Sequence, residues 1–281
     1  MAKVAVLILN WNGWQWTEQA IRSVQASRDA TLDIVVLDNG SITNEAVVLK
    51  KIFPAITIER SETNLGFAGG NNYLFKKLLP DNHYDFFLLL NQDATVDPAC
   101  IARLVAYSQN QPRVAVVGPT VYQSNSRVIQ SVGADINFFT GKVISRYRGD
   151  TTPPAQPAVV ASVIGNCWLV RTAALQALGY FDDRYFAYYE EVAWCVRANR
   201  AGWQCVAIPA ASAYHAKAGG FRTYWNVRNM IWFERQYASG WQRFYFRIYF
   251  WVKFFPERLV KGSPWKELWR ASRDGWLTTL S

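Results

Sequence analysis

The chain has 281 residues, of which 51% are apolar and 15% aromatic, and its formal net charge is +9. That length buries a sizeable core, in one elaborated domain or two intimate halves, and that composition excludes a disordered chain. The charge is uneven: from Lys217 onward stand 12 Lys/Arg against 4 Asp/Glu, a net of +8, which leaves the first 216 residues nearly balanced. A basic tail that also carries much of the tryptophan points to an anionic surface, lipid or nucleic acid.

In chain order, VAVLIL (4–9), DIVVLD (33–38), ITIE (56–59), DFFLLL (85–90) and VAVVG (114–118) read as buried strands. Helix-like spacing over 17–25, 44–53, 70–79 and 98–108 separates them. Strand and helix in alternation, with near-continuous apolar strands, imply an α/β fold whose mostly parallel sheet is flanked by helices. Residues 120–164, with Gly133, Gly141 and TTPPAQP (151–157), read as irregular excursions and a loop. VVASVIGNCWLVR (159–171) resumes apolar character, helices are expected at 172–178 and 190–201, and CVAIP (205–209) is the last expected strand. No run of about 18 uninterrupted apolar residues exists, so no membrane-spanning helix is expected. The first apolar run is too short for a signal peptide. Cys100, Cys167, Cys195 and Cys205 lack metal-ligand spacing and read as reduced, buried thiols, as in the cytosol.

Parallel sheets bind ligands beyond the carboxyl ends of their strands, so the segments that follow the strands are the functional ones. They are NWNG (10–13), DNGS (38–41), NLGFAGGNN (64–72) and NQDA (91–94), all polar. DNGS is either a tight turn or a carboxylate acceptor for a base or ribose. NLGFAGGNN is either a helix-entry loop or backbone opened to an anion, and it matches neither a dinucleotide nor a P-loop fingerprint. Asp93 is either a helix cap or a ligand for a hard cation, and Asp97, directly before Pro98, caps better. Glu190 and Glu191 open a helix, where carboxylates either complement the dipole or serve as a general base.

Seven stretches in order resemble the family-2 inverting glycosyltransferases, in particular the rhamnosyltransferase-like branch acting on cell-wall and surface polysaccharides. They are LNWN (9–12), VVLDNGS (35–41), NLGFAGGNN (64–72), LLLNQDA (88–94), GNCWLVR (165–171), GYFDDRYFAYYEE (179–191) and YWNVRN (224–229), spread over residues 3–230. The resemblance implies the GT-A nucleotide-diphospho-sugar fold. It implies a nucleoside site at Leu9, Asn10, Trp11 and Asn12 with Asp38, Asn39 and Ser41, Trp11 lying beside the base. Asn64, Gly66, Phe67, Gly70 and Asn71 would line the donor pocket. Gln92 and Asp93 belong to an NQD that replaces the family's D-x-D, with Asp93 as ligand for Mg²⁺ or Mn²⁺. His215 matches a late histidine near the metal, and is otherwise structural. Gly165, Asn166 and Trp168 would lie on the acceptor side. Arg228 either neutralises phosphate or caps the tail.

By the same resemblance, Glu191 would be the base, with Glu190 beside it. Here the chain departs from the family, which usually has Glu-Asp at this pair and a further Asp where this chain has Ala193. The donor implied is a nucleotide-diphospho-sugar, dTDP-rhamnose in the first place and a UDP-hexose in the second. The acceptor implied is a saccharide, lipid-linked at the cytoplasmic leaflet. A nucleotidyltransferase would need a basic Gly-rich loop after the first strand, and NWNG has no Lys or Arg. The tail contains no nucleic-acid module, so an anionic membrane is the expected partner rather than nucleic acid. We therefore expect a glycosyltransferase domain over 1–239 and a basic, aromatic extension over 240–281. GWQRFYFRIYFWVKFFPERLVKG (240–262) is either an interfacial helix or a core-packed one with solvated basic residues.

Overall fold

The computed structural model describes residues 2–28, 31–80, 83–216 and 222–278. Its first half alternates β1 (Lys3–Asn10), α1 (Trp14–Gln25), β2 (Thr31–Asn39), α2 (Glu45–Ile52), β3 (Thr57–Ser61), α3 (Gly66–Leu78) and β4 (Phe86–Asn91). A three-residue strand, β5 (Ala94–Val96), precedes α4 (Cys100–Gln109) and the long β6 (Val114–Gln123). Then come β7 (Ile129–Ser131), the hairpin β8 (Ala134–Asn137) and β9 (Lys142–Ser145), β10 (Ala158–Val160) and β11 (Cys167–Arg171). Helices α5 (Thr172–Leu178) and α6 (Glu190–Arg200), the strand β12 (Gln204–His215) and helices α7 (Thr223–Tyr237), α8 (Gly240–Tyr249), α9 (Phe255–Val260) and α10 (Trp265–Leu277) complete it.

The apolar runs are continuous because the sheet is covered on both faces. In β4, Phe86, Leu88 and Leu90 enter one layer while Phe87 and Leu89 enter the other, the two-residue period of a strand. In β1, Val4, Val6 and Ile8 face the first layer and Ala5 and Leu7 the second. Burying each large side chain contributes about 1.5–3 kcal/mol, so these two strands alone fix the register of the sheet centre. The main path runs β10-β12-β6-β11-β4-β1-β2-β3, parallel from β4 through β3, with β11 antiparallel to both neighbours. The parallel strands end flush: Leu9 lies beside Asn91, Asn10 beside Asp38 and Asn39 beside Ser61. Because β11 runs the other way, Cys167 pairs with Leu90 and the Gly165–Asn166 turn enters at that same edge.

Two local expectations change. The segment 120–164 is not mostly loop, since β6 reaches Gln123 and β7 to β10 follow it. The last strand is also longer than CVAIP. A register shift between Ile208 and Ser212 absorbs Pro209, and the strand resumes as far as His215, a bulge accommodating a residue that cannot donate to the ladder. The four cysteines are all buried free thiols.

The tail is a helical layer with two unlike sides. Phe246, Phe250, Phe254, Leu268 and Ala271 cluster with Val227, Met230 and Ile231 of α7. Trp241, Phe244, Ile248, Val252, Val260, Trp265 and Trp269 point outward, Trp241 at 68% and Val260 at 89% exposure. A π-helical turn at Phe250–Phe254 links α8 to α9. Among the described residues no helix is long and apolar enough to cross a membrane.

Candidate active site

At the end of β1, Asn10 is wholly buried. Its Nδ2 donates to Glu45 Oε2 at 2.8 Å and reaches Asp38 Oδ1 and Ser41 Oγ at 3.3 Å, while its Oδ1 accepts from Thr17 Oγ1 at 2.6 Å. Asp38, also wholly buried, accepts from the Ser41 and Ala46 N–H groups and forms an ion pair with Arg60 Nη1 at 2.5 Å. Asn12 sits in the left-handed region at φ 49°, takes Ser41 Oγ with its N–H and accepts from Ile42 N at its Oδ1. Asn10, Asn12, Asp38 and Ser41 thus form an internal network that ties the first two strand ends together. The expectation that Asp38 and Asn10 face the donor is corrected accordingly: their hydrogen-bonding capacity is spent inside the protein. Removing one partner of a buried ion pair costs about 3–5 kcal/mol, and Arg60 remains about a third exposed. Asp38→Ala should therefore lower stability by about 3 kcal/mol in denaturant unfolding, the low end of that range.

Beyond this network lies a cleft of about 450 Å³ lined by Leu9, Trp11, Asn39, Asn64, Gly66, Phe67, Asn91, Gln92 and Asp93, closed by Phe186, Ala187, Tyr188, Arg222 and Trp225. Gln92 fixes the backbone of Trp11, accepting from Trp11 N at 2.6 Å and donating to Trp11 O at 3.2 Å. Asn39 holds the third wall, donating to Gly66 O at 3.0 Å and accepting from Leu65 N at 3.0 Å.

The glycines of NLGFAGGNN do not form an open anion loop. Helix α3 begins at Gly66, earlier than the expected 70–79, and the glycines serve close packing. A Cβ on Gly66 (φ 74°) would stand 2.4 Å from Phe186 O, and one on Gly70 would stand 2.9 Å from Leu9 Cδ1. Gly70 and the buried Asn71, whose Nδ2 donates to Phe67 O, therefore sit behind the cleft rather than in it.

Asp93 meets His215 at the rim. Pairing of β5 with β12 sets Ala94 opposite His215, which leaves His215 Nε2 3.2 Å from Asp93 Oδ1. Gln130 holds the ring from behind, its Oε1 3.1 Å from Nδ1 and its Nε2 donating to His215 O at 2.9 Å. Gln130 thus fixes the ring so that Nε2 is the nitrogen turned toward the carboxylate. One carboxylate and one imidazole on a half-exposed rim suit Mg²⁺ or Mn²⁺, whose remaining positions are filled by phosphate oxygens and water. Among the described residues no group of three or more His, Cys, Asp or Glu could hold a metal by itself.

Glu190 and Glu191 open α6 behind the cleft wall. The Glu191 carboxylate rests against Gly165, close enough that a Cβ there would be 3.5 Å from Oε1. Burial pushes both carboxyls upward, and the neighbouring charge raises Glu190 further. The N–H groups of Val192 and Gly165 favour the ionised form of Glu191, while one oxygen of each carboxylate has no hydrogen-bond partner. This is a carboxyl pair that keeps a proton above the ordinary range.

The acceptor-side residues divide. Gly165 borders the carboxylate, and Asn166 O accepts from Asn91 N at 3.1 Å. Trp168, wholly buried between Phe181 and Trp194, is a core residue and meets no acceptor. Ala193 also lies in an apolar cluster, with Tyr185, Val196 and Phe233; an Asp there would be an unpaired buried charge.

The sequence profile of glycosyl transferase family 2 matches residues 5–179. The chain belongs to glycosyl transferase family 2. This glycosyltransferase is 26% identical over 221 residues to an N-acetylglucosaminyl-diphospho-decaprenol L-rhamnosyltransferase of Mycobacterium tuberculosis, covering 72% of each chain. It is 23% identical over 205 residues to the low-salt glycan biosynthesis hexosyltransferase Agl10 of Haloferax volcanii, covering 70% of this chain and 62% of the relative. Its fold is the GT-A fold. The structure of GalNAc-T7 with UDP, GalNAc and Mn²⁺ superposes on 98% of the chain with TM-score 0.68 at 15% identity, although the chain spans only 55% of that protein. S. aureus TarS 1-349 superposes on 96% of the chain, and on 78% of its own, with TM-score 0.64 at 14% identity.

Several residues of the glycosyltransferase cleft escape sequence reading. Arg222 is the one cation among the described lining residues, bonded to Tyr188, and nothing in the pattern around it separates it from the other basic residues of the tail. Glu45 and Arg60, which complete the strand-end network, look like ordinary helix and strand charges. Arg228 does not line the cleft: its guanidinium is held 4.4 Å from the Trp225 ring and 4.1 Å from that of Trp232.

Proposed function

We propose that the enzyme transfers a sugar, with inversion, from a nucleotide-diphospho-sugar to a saccharide acceptor, with L-rhamnose from dTDP-rhamnose favoured and UDP-hexoses second. The observation that carries this reading is the cleft itself, which gathers Trp11, Asn39, Asn64, Gly66, Phe67, Gln92 and Asp93 from four strand ends beside the Asp93–His215 pair. Trp11 offers a flat face to the base, Asn39 and Asn64 line the donor wall, and Arg222 stands where the diphosphate charge falls. Asp93 and His215 would hold Mg²⁺ or Mn²⁺, which would supply Lewis-acid stabilisation of the leaving group. Glu191 takes the proton of the acceptor hydroxyl as its oxygen bonds to the anomeric carbon and the bond from that carbon to the diphosphate breaks. The nucleoside diphosphate leaves, and one displacement inverts the centre. Calorimetric titration with UDP and dTDP in Mn²⁺ tests the donor side: one should bind, and folded protein that binds neither contradicts the reading.

The preference for rhamnose and for a lipid-linked acceptor is supported by the M. tuberculosis relative, whose name specifies both. A role in cell-surface polysaccharide synthesis is part of the same proposal. Helices α8 to α10 act as an appendage that rests on the anionic cytoplasmic leaflet, with the outward Trp241, Phe244, Val252 and Trp265 entering the headgroup layer beside Arg and Lys. Flotation with anionic liposomes at low salt should carry the enzyme upward; protein left at the bottom of the gradient counts against membrane docking.

A further inference from the structure

Three residues of the loop that closes the cleft are in the left-handed region: Phe186 at φ 63°, Tyr188 at 71° and Tyr189 at 73°. For residues with a Cβ this costs about 1–2 kcal/mol each, and such backbone persists only where its surroundings over-determine it. The determinant lies on α7. Asn229 is wholly buried, and its Nδ2 stands 2.9, 2.7 and 2.8 Å from the carbonyl oxygens of Tyr185, Ala187 and Tyr188. Its Oδ1 accepts from Arg228 Nε at 2.8 Å, and Arg228 Nη2 donates to Arg184 O at 2.8 Å and Tyr185 O at 3.0 Å. Two adjacent α7 side chains therefore gather four carbonyls of one strained loop. The loop is also tied to the donor wall, because Phe186 O accepts from Phe67 N at 2.6 Å and from Ala68 N at 3.2 Å in the first turn of α3. Glu190 and Glu191 follow directly.

We propose that Asn229 is a positioning residue for the transfer reaction: its amide holds the 185–189 loop in the one conformation that sets the sugar-side wall of the cleft and aims Glu191 from the start of α6. The assignment rests on the glycosyltransfer reading. At the Nδ2 position only a donor serves. The site offers three acceptors, so an isosteric carboxylate would face three carbonyl oxygens, whereas Gln keeps both N–H groups and displaces them by one methylene. On the nucleoside wall, the Trp11 backbone is fixed by Gln92, outside the loop.

The experiment compares the full-length wild type with Asn229→Asp and Asn229→Gln, well below the melting temperature, in kcat and in calorimetric affinity for the nucleoside diphosphate. In Asn229→Asp, kcat should fall about 100-fold, the penalty for misplacing a reacting group by about 1 Å, while nucleotide affinity stays within about 3-fold. Asn229→Gln should recover part of the loss. Folded Asn229→Asp with wild-type kcat overturns the proposal, as does a kcat loss matched by an equal loss of nucleotide affinity. If Asn229→Asp does not fold, Asn229→Gln decides: lowered kcat with retained affinity supports the assignment, and unchanged kcat contradicts it. Wild-type protein that binds no nucleoside diphosphate would sink the glycosyltransfer reading instead. The clamp would then be judged by hydrogen exchange of the 187–190 amides, which should quicken in the Gln variant; unchanged exchange would overturn it.

Discussion

Glu191→Gln should abolish most sugar transfer while leaving donor binding intact. A positioned general base contributes about 10²–10⁴-fold, so kcat should fall by about 10³-fold, with nucleotide affinity within about 3-fold of wild type. Gln preserves the shape beside Gly165 and removes only the capacity to accept a proton. The same assignment predicts a shifted pH profile. Burial raises the Glu191 carboxyl, with Glu190 raised further beside it, and the base works only when ionised. The acid limb of kcat should therefore lie above the ordinary carboxylate range, with activity rising with pH through that limb. Stability runs the opposite way. A carboxyl whose folded pKa is raised contributes stability that is complete below its unfolded pKa and is lost as pH rises through the folded one. An acid limb at the usual carboxylate value, or Glu191→Gln with wild-type kcat, would remove Glu191 from the base position.

Asp93→Asn should uncouple nucleotide binding from the metal. In the wild type, Mn²⁺ should strengthen binding of a nucleoside diphosphate and EDTA should reverse it. In the variant, neutral Asn and His215 remain as a weaker pair, so Mn²⁺ should make little difference and kcat should drop by about 10²–10³-fold, equivalent to about 3–4 kcal/mol of lost charge stabilisation. Calorimetry with and without Mn²⁺ reads the binding half of this prediction without any acceptor. Equal affinity in Mn²⁺ and EDTA for the wild type would contradict the metal assignment.

The parallel half of the fold is legible because each strand there is buried on both faces and each ends in a polar cluster. Flush registers then turn four separate sequence stretches into one edge. What the pattern does not carry is direction at the end of each strand. Asn10 and Asp38 carry the polar chemistry of a ligand site, yet Glu45 and Arg60 draw that chemistry inward. Trp11, directly after Asn10, faces out. The start of α3 was misplaced for a related reason: glycines are permissive in loops, but here they let a helix approach β1 and the 185–189 loop. His215 became meaningful only through the pairing of β5 with β12, a contact between residues far apart in the chain. The sequence pattern leaves the tail open between an interfacial and a core-packed helix, and the structure shows the core packing. One side packs on α7 and the other is bare, a division that depends on how α8 to α10 fold back.

The most direct test of the central claim is to incubate the enzyme, Mn²⁺ and a saccharide acceptor with a panel of nucleotide sugars that includes dTDP-rhamnose and UDP-hexoses. Released nucleoside diphosphate and the anomeric configuration of the product are followed by NMR. The structure-based account predicts that one donor is consumed with inversion at the transferred sugar, and that Asp93→Asn and Glu191→Gln both suppress the reaction. Retention of configuration, or transfer that persists undiminished in both variants, would contradict it.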